Sequence, residues 1–209
     1  IGALMSLKSL DIADNYLGGS IPDHLFNLVN LEYLGLENNN FASTVSDRIG
    51  NLVNMKNLSV HDNDLTGTLP HSFGNLVNME HLYLHTNEFS GSVLDYVALM
   101  PKLDVLDIAN NEFSGTLPTT LGRLTKLKKF IVNNNRLSGT IPTEIGDMAS
   151  VEVISGQFNN DIRGSLPSEM GNMANLQWLK LGGCDLESSI PKEFGNFKKI
   201  RMMDLSKND

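Results

Sequence analysis

The chain has 209 residues, of which 41% are hydrophobic, with one cysteine and a formal net charge of −8. This acidic balance excludes general nucleic-acid binding, which needs a basic surface, and no apolar run approaches the ~20 residues that span a bilayer. We therefore expect a folded domain with no nucleic-acid partner, no membrane contact and no internal disulfide.

A pattern of 24 residues repeats along the whole chain. The repeats start at Leu7, Leu31, Met55, Met79, Leu103, Leu127, Val151 and Leu176, with partial repeats at both ends. Only the Val151 repeat carries an extra residue, near Asn160–Asp161. A fixed period of this length predicts a solenoid, in which each unit buries its apolar face by stacking on its neighbours. We therefore predict a single domain over residues 1–209.

Each repeat opens with a short predicted strand. Apolar and polar residues alternate there, as in Leu58-Ser59-Val60, which is the pattern of a half-buried strand. Because every repeat re-enters its strand in the same direction, the strands are predicted to form a parallel sheet. An asparagine column follows, in which an amide can satisfy backbone groups that water cannot reach. Its members are Asn15, Asn39, Asn63, Asn87, Asn111, Asn135, Asn159, Cys184 and Asn208.

The second half of each repeat carries an L-x-G-x-[IL]-P segment, which is most complete in residues 127–150, LKKFIVNNNRLSGTIPTEIGDMAS. This pattern resembles the leucine-rich repeat of the plant type. The resemblance implies an α/β solenoid, a right-handed superhelix or horseshoe with the parallel sheet on its concave face. It also implies a receptor-like ectodomain, or a related repeat protein of plants or photosynthetic protists.

The strand register predicts which side chains face outward on the concave sheet. Exposed aromatic residues beside basic groups are typical of interface hot spots. For Trp178 the alternative is packing beneath a further repeat. The residues predicted to bind a protein or peptide partner are Tyr33, His61, Tyr83, His85, Ile131, Val153, Phe158, Trp178 and Lys180.

The histidines of adjacent repeats also allow a metal hypothesis. His61 and His85 are lateral neighbours in the predicted sheet, and Glu37 in the same column could supply a third ligand. Ordinary polar surface, or a pH-sensitive part of the binding face, is the preferred interpretation. We predict no metal and no cofactor.

No catalytic motif is present, so we predict a non-enzymatic recognition domain rather than an enzyme. The preferred hypothesis is the ligand-binding part of a receptor-like protein, extracellular or membrane-tethered. One alternative is a secreted hydrolase inhibitor similar to polygalacturonase inhibitors. Another is an ice-binding solenoid, because serine or threonine recurs in the turn of each repeat. The chain begins without methionine and ends inside a repeat, so we expect it to be part of a longer chain.

Overall fold

The computed structural model describes all 209 residues and forms a solenoid built on two parallel sheets, which confirms the predicted fold class. The strands that open the repeats form the concave sheet, whose nine members pair strictly in chain order. They are Ser9–Asp11, Tyr33–Gly35, Asn57–Ser59, His81–Tyr83, Val105–Asp107, Lys129–Ile131, Val153–Ser155, Trp178–Lys180 and Met202–Asp204.

A second parallel sheet of eight strands runs along the turn that follows each asparagine. Six of its eight strands contain the glycine of the L-x-G-x-[IL]-P segment, and at Gly67 and Gly115 that glycine has a φ of +75° and +92°. A residue with a side chain rarely adopts this conformation, so the pattern favours glycine there, and Ser188 is an exception with a φ of +87°. The strands are Gly18–Gly19, Asn40–Ser43, Asp64–Thr68, Glu88–Gly91, Glu112–Thr116, Arg136–Gly139, Asp161–Gly164 and Asp185–Leu186.

The outer side of the solenoid is formed by short 3₁₀ helices. Six of the seven follow a proline whose fixed φ sets the start of the turn, and at Asp47–Asn51 the Ser46 hydroxyl accepts from the Arg48 N–H instead. A second repeat also lacks this proline, and it forms the α-helix Leu94–Val97 instead of a 3₁₀ helix. The other six 3₁₀ helices are Asp23–Asn27, His71–Asn75, Thr119–Arg123, Thr143–Asp147, Ser168–Asn172 and Lys192–Asn196.

The core lies between the concave sheet and the outer helices as one cluster of 50 buried residues. The leucine-like positions of successive repeats stack within it, and Phe89 and Phe113 stack with ring centroids 5.9 Å apart. A cavity among these apolar side chains has a volume of about 20 Å³ and is lined by Phe130, Ile154 and their neighbours. A space of that size holds at most a water molecule, so this cavity has no room for a larger ligand.

The asparagine column forms the predicted ladder. Asn63 is typical, because its amide donates to the carbonyls of Leu36, Val60 and His61 while its Oδ1 accepts the N–H of Phe41 in the preceding repeat. Seven such N–H to Oδ1 bonds, 2.9–3.1 Å long, connect successive turns. These bonds satisfy backbone groups in the turn that the sheets leave unpaired.

The ladder is interrupted once, at the insertion. Asn160 occupies the extra position, and the turn it creates lets the N–H of Ile162 donate to the carbonyl of Asn159 at 3.0 Å. In other repeats, the backbone N–H at the position of Ile162 donates instead to the Oδ1 of the asparagine in the following repeat. The following repeat has Cys184 at this position, whose thiol lies 3.5 Å from the Gly156 carbonyl.

Candidate functional site

Two rows of side chains face outward from the concave sheet. The middle residue of each inner strand is buried, and the first and third residues form rows because the strands pair in exact sequence order, as in Val153↔Trp178↔Met202. Neighbouring residues of a row are about 4.8 Å apart. The structure places six of the predicted residues in these rows: Tyr33, Val153 and Trp178 in the first, and Tyr83, Ile131 and Lys180 in the second.

His61 and His85 form a pair two residues beyond their strands. Their rings stack with centroids 4.1 Å apart and planes 14° apart, and Tyr83 packs edge-on against His61 at 6.2 Å. The Asp62 carboxylate lies 2.8 Å from His61 Nδ1. The predicted lateral contact is therefore present, whereas the acidic residue that joins the pair is Asp62 and not Glu37.

Burial shifts the protonation of the groups around this histidine pair. It lowers the pKa of His85, an effect that the neighbouring Asp107 opposes and His61 reinforces. It also raises the pKa of the Asp107 carboxyl, although the bond from the Ala109 N–H acts in the opposite direction. His85 and Asp107 therefore lie in a half-buried part of the concave face that favours their neutral forms.

Glu37 instead faces a hollow above Gly35. A side chain at Gly35 would meet the Tyr33 hydroxyl at 2.8 Å, an Asp11 oxygen at 3.0 Å and Glu37 Oε2 at 3.2 Å, so the glycine leaves space that these groups surround. Glu37 Oε2 is buried and has no hydrogen-bond partner. Burial raises the pKa of the Tyr33 hydroxyl, with smaller contributions from the two carboxylates. The sequence analysis did not identify this hollow, because it depends on the absence of a side chain.

An apolar group lies near the C-terminal end of the concave face. Trp178 is half-buried, with the Arg201 guanidinium 5.7 Å from its ring centroid, and Met202 beside it is 48% exposed. Phe158 is 45% exposed and has a φ of +58°, a conformation that a bulky residue rarely adopts. Its ring lies over the backbone of Gly183, where any side chain would collide with it. Trp178 and Met202 are thus neighbours on the concave face, and Arg201 is a neighbour of Trp178 that the sequence analysis did not include.

Charged residues beside the rows pair with one another. Glu32 lies between Lys8 at 3.1 Å and Lys56 at 2.6 Å, and Asp104 lies 2.9 Å from Lys128. The hydrogen bond from Lys56 is the main reason that the pKa of Glu32 is lowered. These exposed pairs contribute little energy each, so we interpret them as support for the strand register.

The serine and threonine rows lie on the second sheet, away from the concave face. One row is exposed, and consists of Ser20, Thr44, Thr68, Ser92, Thr116, Thr140, Ser165 and Ser189. In the row two residues earlier, the Ser138 hydroxyl donates to the carbonyl of Gly115 at 3.3 Å.

No helix in the structure has the length and apolarity needed to cross a membrane.

A family model described as Leucine Rich Repeat matches six segments of the chain: 6–28, 30–52, 54–76, 102–124, 126–148 and 175–197. The two intervening repeats without a match are the one that contains the α-helix Leu94–Val97 and the one with the insertion at Asn160. No curated protein is significantly similar in sequence.

Solved structures with the same fold include plant receptors. The ectodomain of the membrane receptor kinase GASSHO1/SCHENGEN3 from Arabidopsis thaliana is 33% identical with a TM-score of 0.96, over 99% of this chain and 25% of that one. The plant peptide hormone receptor RGFR1 is 30% identical with a TM-score of 0.85, over 100% of this chain and 37% of that one. A plant ice-binding protein, 23% identical with a TM-score of 0.70 over 91% of this chain and 69% of that one, shows the shared fold alone. The chain thus spans a quarter to about a third of the two receptors.

Proposed function

This chain belongs to the leucine-rich repeat family, and we propose on that premise that residues 1–209 act as one non-catalytic domain that recognises a protein or peptide on the concave face. The observation that carries the proposal is the open surface of the nine-stranded sheet, with two parallel rows of outward side chains. A surface of this kind suits an extended chain, because its regular spacing can contact successive residues of a ligand.

The similar receptors support a peptide as the partner. The GASSHO1/SCHENGEN3 ectodomain was solved in complex with CASPARIAN STRIP INTEGRITY FACTOR 2, and RGFR1, a peptide hormone receptor, in complex with RGF2. Both are at least 30% identical to this chain over nearly all of its length. We therefore infer that this chain is a segment of a receptor-like ectodomain, and that it acts outside the cell.

The proposed contact surface has two parts. Trp178, Phe158 and Val153 provide apolar area at one end, with Lys180 and Ile131 in the adjacent row. The other part consists of the predicted residues in the N-terminal half, which are Tyr33, His61, Tyr83 and His85. Both parts contain aromatic residues, and burying an aromatic side chain contributes more binding free energy than most other contacts.

A peptide library displayed on phage tests the proposal directly. Peptides selected on the immobilised chain are synthesised, and their affinities for Trp178→Ala and Tyr83→Ala are measured by calorimetry. Loss of an aromatic hot spot costs about 2 kcal/mol or more, so we expect affinities to fall roughly 30-fold or more in at least one variant. Thr116→Ala on the second sheet is the matched control and should bind as the wild type does.

The opposite result is equally informative. If peptides are selected and bind both concave-face variants with unchanged affinity, while Thr116→Ala weakens them, the second sheet is the binding surface. The concave-face proposal is then wrong. Labelling of intact cells with a reagent that does not cross membranes tests the location, because only an extracellular domain becomes labelled.

A further inference from the structure

We propose that His61, Asp62 and His85 form a binding site for a divalent transition-metal ion, and for Zn²⁺ in particular. One candidate ligand atom from each of the three side chains lies within 4.8 Å of the other two. Ligand atoms around a tetrahedral zinc ion are about 3.4 Å apart, because each metal–ligand bond is about 2.0–2.1 Å long. The three side chains therefore need to approach one another by little more than about 1 Å.

The repeat geometry fixes the backbone beneath these side chains. His61 and His85 follow paired strands in which Ser59 lies opposite Tyr83, so the two imidazoles have to lie side by side. The N–H of Asp62 donates to the carbonyl of His85 at 3.1 Å, which attaches the turn that carries the carboxylate to the second histidine. All three ligands thus stand on a hydrogen-bonded framework, and only side-chain torsions need to change on binding.

The stacked rings require a small adjustment. Parallel imidazoles 4.1 Å apart present their nitrogen lone pairs side by side rather than towards one point. Rotation about the bond to the ring has a broad energy minimum, so the lone pairs can converge at low cost. Asp62 already lies 2.8 Å from His61 Nδ1, and a metal ion would replace the proton that these two groups share.

The donor set determines which ion fits. Two imidazole nitrogens and one carboxylate oxygen suit zinc and copper, whereas calcium and magnesium prefer sites made entirely of oxygen atoms. Three protein ligands leave at least one position of a tetrahedral zinc ion open. That position would face the concave side, where water or a group from a bound molecule could complete the coordination.

Calorimetric titration of the chain with Zn²⁺ alone tests the site. We expect one ion per chain, with affinity at least tenfold lower in His85→Gln and in His61→Gln, because each variant removes a ligand. His24→Gln is the matched control, since His24 is an exposed histidine on the first 3₁₀ helix, and it should leave the affinity unchanged. Circular dichroism melting curves establish that each variant is folded.

Electron paramagnetic resonance with Cu²⁺ as the probe gives an independent measurement on the wild-type chain. Coupling to two imidazole nitrogens is expected, and coupling to one in His85→Gln. Equal zinc affinity and stoichiometry in the wild type and in the double variant His61→Gln/His85→Gln would overturn the proposal, as would a copper spectrum without nitrogen coupling. Neither measurement involves a peptide, so both are independent of the proposed recognition function.

Discussion

Replacing a buried asparagine of the ladder should destabilise the chain far more than replacing an exposed one. Asn63 is 8% exposed, and Asn63→Ala removes three bonds from its amide and the acceptor of the Phe41 N–H. A buried donor left unsatisfied costs about 1–3 kcal/mol, and the lost amide bonds add roughly 1 kcal/mol net. We therefore expect the free energy of unfolding to fall by about 2–4 kcal/mol, measured by urea unfolding with circular dichroism.

Asn15→Ala is the control for that prediction. Asn15 occupies the same column, but it is exposed and its amide donates to the carbonyls of Ile12 and Ala13 only. Water can replace these bonds, so its loss should cost less than about 1 kcal/mol. Equal losses in the two variants would show that burial of the bonded groups does not determine the contribution of the ladder, and the reasoning would fail.

Four further results are expected. Gly122→Ala should lower the melting temperature, because a Cβ at Gly122 would collide with the backbone carbonyl oxygen of Glu144 in the next repeat. Gly195→Ala should leave the melting temperature unchanged, because a Cβ there would have nothing within 4 Å. Equal melting temperatures of the two variants would contradict this. Burial raises the pKa of the Asp107 carboxyl above its value in the unfolded chain. The contribution of this carboxyl to stability therefore falls as the pH rises from the unfolded-state pKa to the folded-state pKa. The free energy of unfolding, measured by urea unfolding, should therefore be larger for Asp107→Asn than for the wild type at pH 7. At pH 3 this difference should disappear. Burial also raises the pKa of the Cys184 thiol, so a maleimide should react at least about tenfold more slowly with the folded chain than with the chain in urea. Deleting Asn160 should cost about 1–3 kcal/mol of unfolding free energy, and adding Cys184→Asn should restore most of it; a second substitution without effect would refute this coupling.

The period of the sequence was sufficient to predict the concave sheet and its register. Every strand there starts at the same point of the repeat, so lateral neighbours such as Tyr33 and Asn57 follow from counting alone. The second sheet was not predicted. Its strands have two to five residues and most of them contain a glycine with positive φ, as at Gly67, so they lack the alternation that identifies a strand.

For the candidate site as well, positions on the strands could be predicted from the sequence and positions in the turns could not. Residues on the strands were placed correctly, because side chains alternate between the two faces of a sheet. Asp62 was missed as a partner of the histidines because it lies in the turn, with a φ of +53°, where the direction of a side chain does not follow from strand alternation. Glu37 was assigned to the histidines because it shares their column, but its carboxylate turns towards the space that Gly35 leaves.

The cysteine in the asparagine column shows how two departures from a repeat can depend on each other. A thiol is a weak acceptor, so cysteine at this position would ordinarily leave the N–H of the preceding turn unsatisfied. Here that N–H belongs to Ile162, and the extra residue Asn160 allows it to bond to the carbonyl of Asn159 within its own repeat. Cys184 can therefore replace asparagine without an unsatisfied donor. Considered separately, the inserted Asn160 and the substituted Cys184 look like two unrelated departures from the repeat. The hydrogen bond from Ile162 to Asn159 shows that the insertion removes the need for an asparagine at position 184.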